Sequence, residues 1–482
     1  MWTAVWFGAL SLAACGDGSS TSAADSDSGS DDALDSDGDG FGDAALGGTD
    51  CDDTDPQIHP GAPEHCDGHR NDCDDAGWTE DLGVVSLERT DGSWQALTGE
   101  WTASVSHNIT EDGTVWICPG DWEVSLTLAA DLALVGVGGA ELTTLDAGGI
   151  GPVIRIERDG LDVRLSGLTL TGGEGIPFLV SDHHPDEYDA GGGVHCNADA
   201  ALALEAVVVR ENSAVLGAGA LLSGCDADIL QSRFEDNTSE RHGGGVYLDG
   251  DSLSRFSDTD FLRNHAGFSA GAVHLNQATV TIEGGRFEAN SANSGGALMV
   301  SGGEVTVRGA DFAGNSAVEF GGGAIDLFTG TLWVEDTTFT DNSANTSPDG
   351  ELEGRDGGAV KLSWAYPAHF SGAVFTGNAA YSGGAISADG GTLDIIDSEF
   401  RENTALELGG GVALEGSNLT VTDSLFQGNE DDGIWLYDDA TADINDCGFY
   451  DHGAYDVRVG ASAGSQWDDV VTATCDSEGC VE

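Results

Sequence analysis

A phenylalanine, two variable residues and an asparagine recur down the second half of the chain: Phe234/Asn237, Phe261/Asn264, Phe287/Asn290, Phe312/Asn315, Phe339/Asn342, Phe375/Asn378, Phe400/Asn403 and Phe426/Asn429. Successive phenylalanines lie 27, 26, 25, 27, 36, 25 and 26 residues apart, with glycine-rich segments such as Gly295-Gly296-Ala297-Leu298 and Gly383-Gly384-Ala385-Ile386 between them. A fixed period of this length marks a solenoid, because one such repeat cannot bury its own apolar face and needs the next stacked on it.

Alternation inside each repeat supplies the element type. Seven and five places before the phenylalanine stand Val280 and Ile282, Val305 and Val307, Leu332 and Val334, Leu393 and Ile395, Leu419 and Val421, with polar residues between. Period two is a strand with one buried face. The glycine pairs open a second short strand. The expectation is an all-β chain, a right-handed parallel β-helix with two or three short strands per coil. It would occupy residues 115–482 including a C-terminal cap, with about fourteen coils stacked ~4.8 Å apart. The phenylalanines then stack inside the tube. Asn237, Asn264, Asn290, Asn315, Asn342, Asn378, Asn403 and Asn429 form an amide ladder at a bend, a structural row with no catalytic rationale.

Charge narrows the partners. The chain has 85 acidic residues against 16 basic ones, Lys361 is its only lysine, and its net charge is −69. Such a surface repels nucleic acid and attracts cations, so no nucleic-acid partner is expected. No apolar run reaches the roughly 20 residues that span a bilayer. No amphipathic strands of an outer-membrane barrel precede Cys480-Val481-Glu482, so a membrane translocator within the chain is not expected.

Residues 1–14 form a short apolar segment ending Leu12-Ala13-Ala14 before Cys15, with no Lys or Arg ahead of it. It resembles the lipobox of bacterial lipoprotein signals, which implies removal of residues 1–14 and lipidation of Cys15; an ordinary secretory signal is the alternative. Residues 16–34, rich in Ser, Asp, Ala and Gly, read as a flexible tether. The resemblance implies export and a lipid anchor at the outer membrane or cell surface, where disulfides persist.

Residues 35–77 form an acidic module, with 78–114 as a connecting or capping segment. Asp35, Asp37, Asp39 and Asp43 stand at relative positions 1, 3, 5 and 9 with Gly40 at position 6, the front of a calcium loop whose backbone ligand would come from Phe41. Leu46 replaces the usual glutamate at position 12, so the loop is more similar to the calcium loops of thrombospondin type 3 repeats and dockerins, with Asp50 and Asp52 as lenders. Asp50-Cys51-Asp52-Asp53-Thr54-Asp55, His59, Cys66 and Asn71-Asp72-Cys73-Asp74-Asp75 resemble the Asp/Cys-rich metal-binding module of exported myxobacterial proteins. Ca2+ is the expected cofactor, with Asp53 and Asp55 as further ligands. A solvated linker is the plain alternative. A zinc site lacks paired Cys-x-x-Cys spacing, and oxygen ligands outnumber soft ones. Cys196 and Cys225 are candidates to bridge neighbouring coils, and Cys475 and Cys480 to staple the tail.

The paired Phe-x-x-Asn and Gly-Gly-Ala-Ile/Leu/Val motifs resemble the repeats of chlamydial polymorphic outer-membrane proteins, which implies an adhesin-like or structural surface protein. The residue after Val/Ile in each glycine strand is expected to face outward: His195, Leu222, Tyr247, His274, Met299, Asp326, Lys361, Ser387, Ala413 and Trp435. A polar column two residues on includes Asp249, Asp389, Glu415 and Tyr437. His195, Tyr247, His274, Asp326, Lys361, Trp435 and Tyr437 are the candidate contacts for an extended polysaccharide or a surface protein; a freely varying surface is the alternative. Insertions at 174–190 and 346–356 would project as loops. The residue sets of pectate lyases and polygalacturonases are not recognisable. The acid pairs Asp431-Asp432 and Asp438-Asp439 are adjacent on a strand and are expected to point to opposite faces, whereas glycosidase carboxylates converge. The expectation is a monomeric, non-enzymatic surface protein, with a carbohydrate-active β-helix enzyme as the alternative.

Overall fold

The structure, a computed structural model, describes residues 35–62, 71, 73, 85–97, 101, 106–181, 184–250, 252–344, 356–460 and 471–473. Cys15, the tether, most of the second insertion, Cys475 and Cys480 lie outside the described residues. The chain divides into two compact units, Met1–Pro63 with Asn71–Ala76, and Glu64–Arg70 with Gly77–Glu482. Among the described residues no helix is long and apolar enough to cross a membrane.

The larger unit is the right-handed parallel β-helix, built on three sheets of 25, 13 and 10 strands. Each coil passes through the first sheet twice, as with Val246–Asp249 and then Leu253–Ser257. Five successive coils, Val273–Glu283, Leu298–Arg308, Ile325–Glu335, Val360–Ser371 and Ile386–Ile396, run through as single strands of 11 or 12 residues. The chain then turns into the phenylalanine strand of the second sheet, such as Asp260–Leu262, and into a short third-sheet strand after the asparagine, such as His265–Ala266. Among the described residues the second sheet has thirteen strands and so marks thirteen coils, close to the fourteen expected. At the N-terminal end Val85–Arg89 pairs antiparallel with Trp94–Ala96 on one side and Gly113–Ile117 on the other, covering an edge that would otherwise invite pairing.

Corners explain where the chain can turn. The residue before each ladder asparagine adopts a left-handed conformation, including Asp236, Arg263, Ala289, Asp341 and Glu402 at φ of 53° to 55°. A second corner repeats the pattern at Asp258, Asp336, Asp397 and Asp423, with φ of 48° to 50°. Aspartate tolerates this region better than most side chains, so part of the acidic surplus sits at bends.

Inside, the phenylalanines form one stack. Ring centroids from Phe234 through Phe426 are 4.5–5.1 Å apart with planes within 16°, and Phe449 extends the stack at 4.9 Å. Beside them runs the amide ladder. Asn315 Nδ2 donates to the Phe287 carbonyl at 2.7 Å and to Asn342 Oδ1 at 2.9 Å, while Asn315 N donates to the same Oδ1 at 3.0 Å. The same linkage joins Asn237 to Asn264 and Asn403 to Asn429. It starts one coil earlier than the motif suggests, at Asn212, where Val209 takes the phenylalanine's place. The 36-residue spacing does not break the register: Phe339 stacks on Phe375 at 4.6 Å and Asn342 Nδ2 reaches Asn378 Oδ1 at 2.9 Å. Cys196 and Cys225, in successive coils, are disulfide-bonded.

Asn315→Leu would remove the side-chain donor to the Phe287 carbonyl and the acceptor of the Asn290 backbone N–H inside the tube. The expected loss is about 3 kcal/mol of unfolding free energy, read from the urea midpoint. A change below about 0.5 kcal/mol would show that the ladder is incidental.

Candidate metal centre and binding groove

In the N-terminal unit the aspartates fold back on their own backbone. Asp35 accepts from Gly38 N at 2.7 Å and Gly40 N at 3.1 Å, Asp39 Oδ1 from Phe41 N at 2.8 Å, and Asp50 Oδ1 from Asp52 N at 2.8 Å. A bridge between Asp43 and Asp50 closes the loop, and Phe41 stacks on His59 at 4.8 Å. The turns bring one carboxylate oxygen each from Asp35, Asp37 and Asp39 within 4.8 Å of one another. Asp37 Oδ2, Asp39 Oδ2 and Asp50 Oδ2 are sealed from solvent with no hydrogen-bond partner. Partial burial, reinforced by Asp39, Asp50 and Asp35, pushes the Asp37 carboxyl above its ordinary range. Orphaned, mutually repelling carboxylate oxygens fit a hard divalent cation.

Asp43 instead caps the short helix Ala44–Leu46, Asp53 accepts from Ser36 N, and Asp55 accepts from Gln57 N. Asp52, read as a lender beside Asp50, accepts from Thr54 and is exposed. Cys51 and Cys73 are joined in a disulfide, so neither supplies a thiolate.

On the β-helix, the column after the glycine motif points away from the core but is not an exposed surface. Register places Leu221, not Leu222, between His195 and Tyr247; Leu222 pairs with Cys196 and Leu248 in the core. His195, Tyr247, His274, Asp326, Lys361 and Trp435 are all buried, which corrects the expectation of an open column. At its N-terminal end the cause is the first insertion, a hairpin of Ile176–Ser181 and His184–Ala190 that packs Phe178 onto Leu221 and Tyr247. His195 Nδ1 donates to the Ala190 carbonyl at 2.8 Å, and burial holds its pKa down. His242 and His274 share Ser269 Oγ at 2.6 and 3.0 Å, and His274 stacks on Tyr247 at 5.0 Å. Burial lowers His242 to about 4 and His274 well below the usual imidazole range, so this is a neutral polar cluster that packs coils together.

Further along, the column opens into a groove of about 580 Å³. Its floor is Asp326 and Lys361, register partners on adjacent coils. Phe320 (41% exposed) and Phe328 (50% exposed) stand at its walls, with Asp389 and Glu415, also register partners, along one side. Asp356, the first described residue after the second insertion, lines the groove and accepts from Gly321 N at 2.8 Å. Asp326 accepts from Ser294 Oγ, and Lys361 Nζ lies 3.3 Å from Ser387 Oγ. Burial lifts Asp326 to about 6, opposed by the Ser294 hydrogen bond and by Lys361, with Asp356 adding to the rise. Gly321 sits at φ 94°, and a Cβ there would collide with the Asp326 carboxylate. Glu415 also borders a smaller continuation lined by Ser387 and Trp435, and Trp435 stacks on Tyr437 at 5.1 Å.

The model for the right-handed β-helix region matches residues 190–344 and 355–467, more than half of the sequence. The chain belongs to the right-handed β-helix family. A second model, described as "Putative metal-binding motif", matches residues 50–77. No curated protein and no solved structure matches the chain.

The β-helix carries features that pattern reading missed. Phe328 is the extra residue of a bulge, since Val300 pairs with Leu327 but Ser301 with Thr329; the register returns by Glu304, which pairs with Thr331, so the bulge leaves no trace in the repeat period. Trp364 (71% exposed, φ 50°) holds a left-handed position opposite Gly390, a conformation unfavourable for a bulky side chain. Asp431 also lies outside the strands, in a bend at φ 72°, whereas Asp432 begins Asp432–Tyr437, so the two do not alternate across one strand. Burial, with Asp431 beside it, raises Asp432 to about 6 against the pull of Arg458 at 3.6 Å.

Two outcomes follow from these sites. Saturating Ca2+ should raise the melting temperature of the full chain relative to chelator, by the equivalent of about 2.7 kcal/mol at a hundredfold excess over Kd, and Asp37→Asn with Asp39→Asn should abolish the shift. Asp326 and Asp432 bind protons more tightly in the folded state, so stability is greatest below pH ~4 as far as these groups are concerned. It declines as pH rises through about 6. Asp326→Asn should flatten that decline and raise the melting temperature at neutral pH, and an unchanged pH profile would contradict the assignment.

Proposed function

We propose that the protein is an exported surface lipoprotein, anchored through Cys15, whose β-helix binds an extracellular polysaccharide. Ca2+ held by Asp35, Asp37, Asp39 and Asp50 would stabilise the N-terminal module. The observation that carries the reading is the groove: a rigid, sheet-floored cleft of about 580 Å³ with Phe320 and Phe328 at its walls and polar groups on its floor. Aromatic faces stack on sugar rings, carboxylates and hydroxyls take up their hydroxyl groups, and a fixed scaffold keeps the ordering cost of binding low. The metal-binding motif and the calcium-loop spacing support the cation, and the small residues before Cys15 support the anchor.

An enzyme is the second reading, favoured by one observation. Asp326, raised to about 6, lies near Asp356 and Lys361 in the same groove, which is the kind of neighbourhood that supports proton transfer near neutral pH. Screening the full-length protein against a glycan array and a panel of soluble polysaccharides separates the readings. Retention of a glycan without release of reducing ends or unsaturated products is the expected result. Degradation of any polymer that Asp326→Asn abolishes would establish the enzyme instead. Labelling of the chain with palmitate, lost in Cys15→Ala, tests the anchor.

A further inference from the structure

We infer that Trp364 is a ring-stacking platform at the rim of the groove, and that the polysaccharide it selects is an extended, equatorially linked chain of uncharged pyranose rings. This rests on the polysaccharide reading above and names the chemistry of its ligand. Trp364 holds a left-handed backbone at φ 50°. Every other non-glycine residue at positive φ among the described residues is Ala, Asp, Glu, Gln or Arg. In the coils that follow, the same corner is held by Gly390, Gly416 and Asp438. A bulky side chain works against this conformation, because its β-carbon crowds the neighbouring carbonyl. Trp364 is also 71% exposed, more than any other large apolar residue among those described, so burial does not offset the strain. Neither property serves the fold. Strain held without packing points to a contact with a molecule outside the chain.

The groove indicates what that molecule offers. Ser363, just before Trp364, lines the groove, as does its register partner Asp389. Leu327 pairs with Leu362, so Phe328 and Trp364 come at the same rim in successive coils, which stack ~4.8 Å apart. One sugar residue of an extended chain is about as long as one coil is thick, so consecutive rings meet Phe328 and Trp364 in turn. Equatorial substituents leave only axial C–H bonds on the faces of a pyranose, an apolar plane that suits the negative face of an aromatic ring. An axial linkage coils the chain and turns successive rings out of that plane. Beyond Trp364 the rim drops to Gly390 and Gly416, which leaves the path open for further sugars. Ser363 and Asp389 beside the indole suit ring hydroxyl groups, whereas the anchor of a protein interface sits in a packed, water-excluding surround.

The test is calorimetric titration of the full-length protein with cellohexaose and with maltohexaose, uncharged glucose oligomers that differ in equatorial against axial linkage. Binding of cellohexaose alone is expected. Trp364→Gly should weaken it about tenfold while the melting temperature holds or rises, and Trp364→Tyr, which restores a ring, should recover most of the affinity. Equal binding of maltohexaose would overturn the extended-chain assignment and leave the polysaccharide reading standing. Cellohexaose binding that Trp364→Gly leaves unchanged would overturn the role of Trp364. So would a fall in melting temperature in that variant, since it would show that the indole packs into the fold. Failure of both oligomers to bind, with a glycan still retained on the array, would overturn this inference alone. No glycan retained there either would sink both readings.

Discussion

Register between coils is the constraint on which the rest of the structure depends, and buried amides set it. An asparagine inside a tube must satisfy two donors and an acceptor, and it does so only when the next coil places another asparagine one strand spacing away. From Asn212 to Asn429 every link is made, and the phenylalanine stack beside it tolerates no slip without losing ring contact. That is why the long insertion between Phe339 and Phe375 leaves both rows intact and why the bulge at Phe328 is confined to one face. An interior this uniform leaves variation to the outside. The groove is the place where a bulge, an insertion end and the outward column meet.

Acidity has more than one cause in this chain. Aspartates at left-handed corners serve the fold, and those in the N-terminal loop converge on orphaned oxygens. The groove carboxylates belong to neither group. Several arginines are engaged with acids on adjacent coils, as Arg255 is with Glu283 at 2.6 Å, Arg286 with Asp260 at 2.6 Å and Arg308 with Glu335 at 2.8 Å. Such exposed pairs add about 0–1 kcal/mol each.

Period and alternation made the coil legible, because spacing repeats whatever the side chain does. The same logic failed where a substitution keeps the geometry but changes the residue: Val209 and Asn212 extend the ladder without a phenylalanine, and Leu221 rather than Leu222 continues the outward column. Exposure was the larger gap. Alternation tells which residues leave the core, but a hairpin folded over His195 and Tyr247 is a tertiary event with no periodic signature. Asp326 and Lys361 were readable as outward-facing, whereas their pairing with Asp356 and Phe328 required an insertion and a bulge to be placed in space.

A crystal structure of the full chain grown with the best-binding glycan oligomer tests the central claim most directly. The account predicts sugar density along the first sheet between Asp326 and Trp435, with a ring against Phe320 or Phe328 and polar contacts to Asp389 and Glu415. Density on another face of the β-helix, or against the hairpin around Phe178, would contradict it.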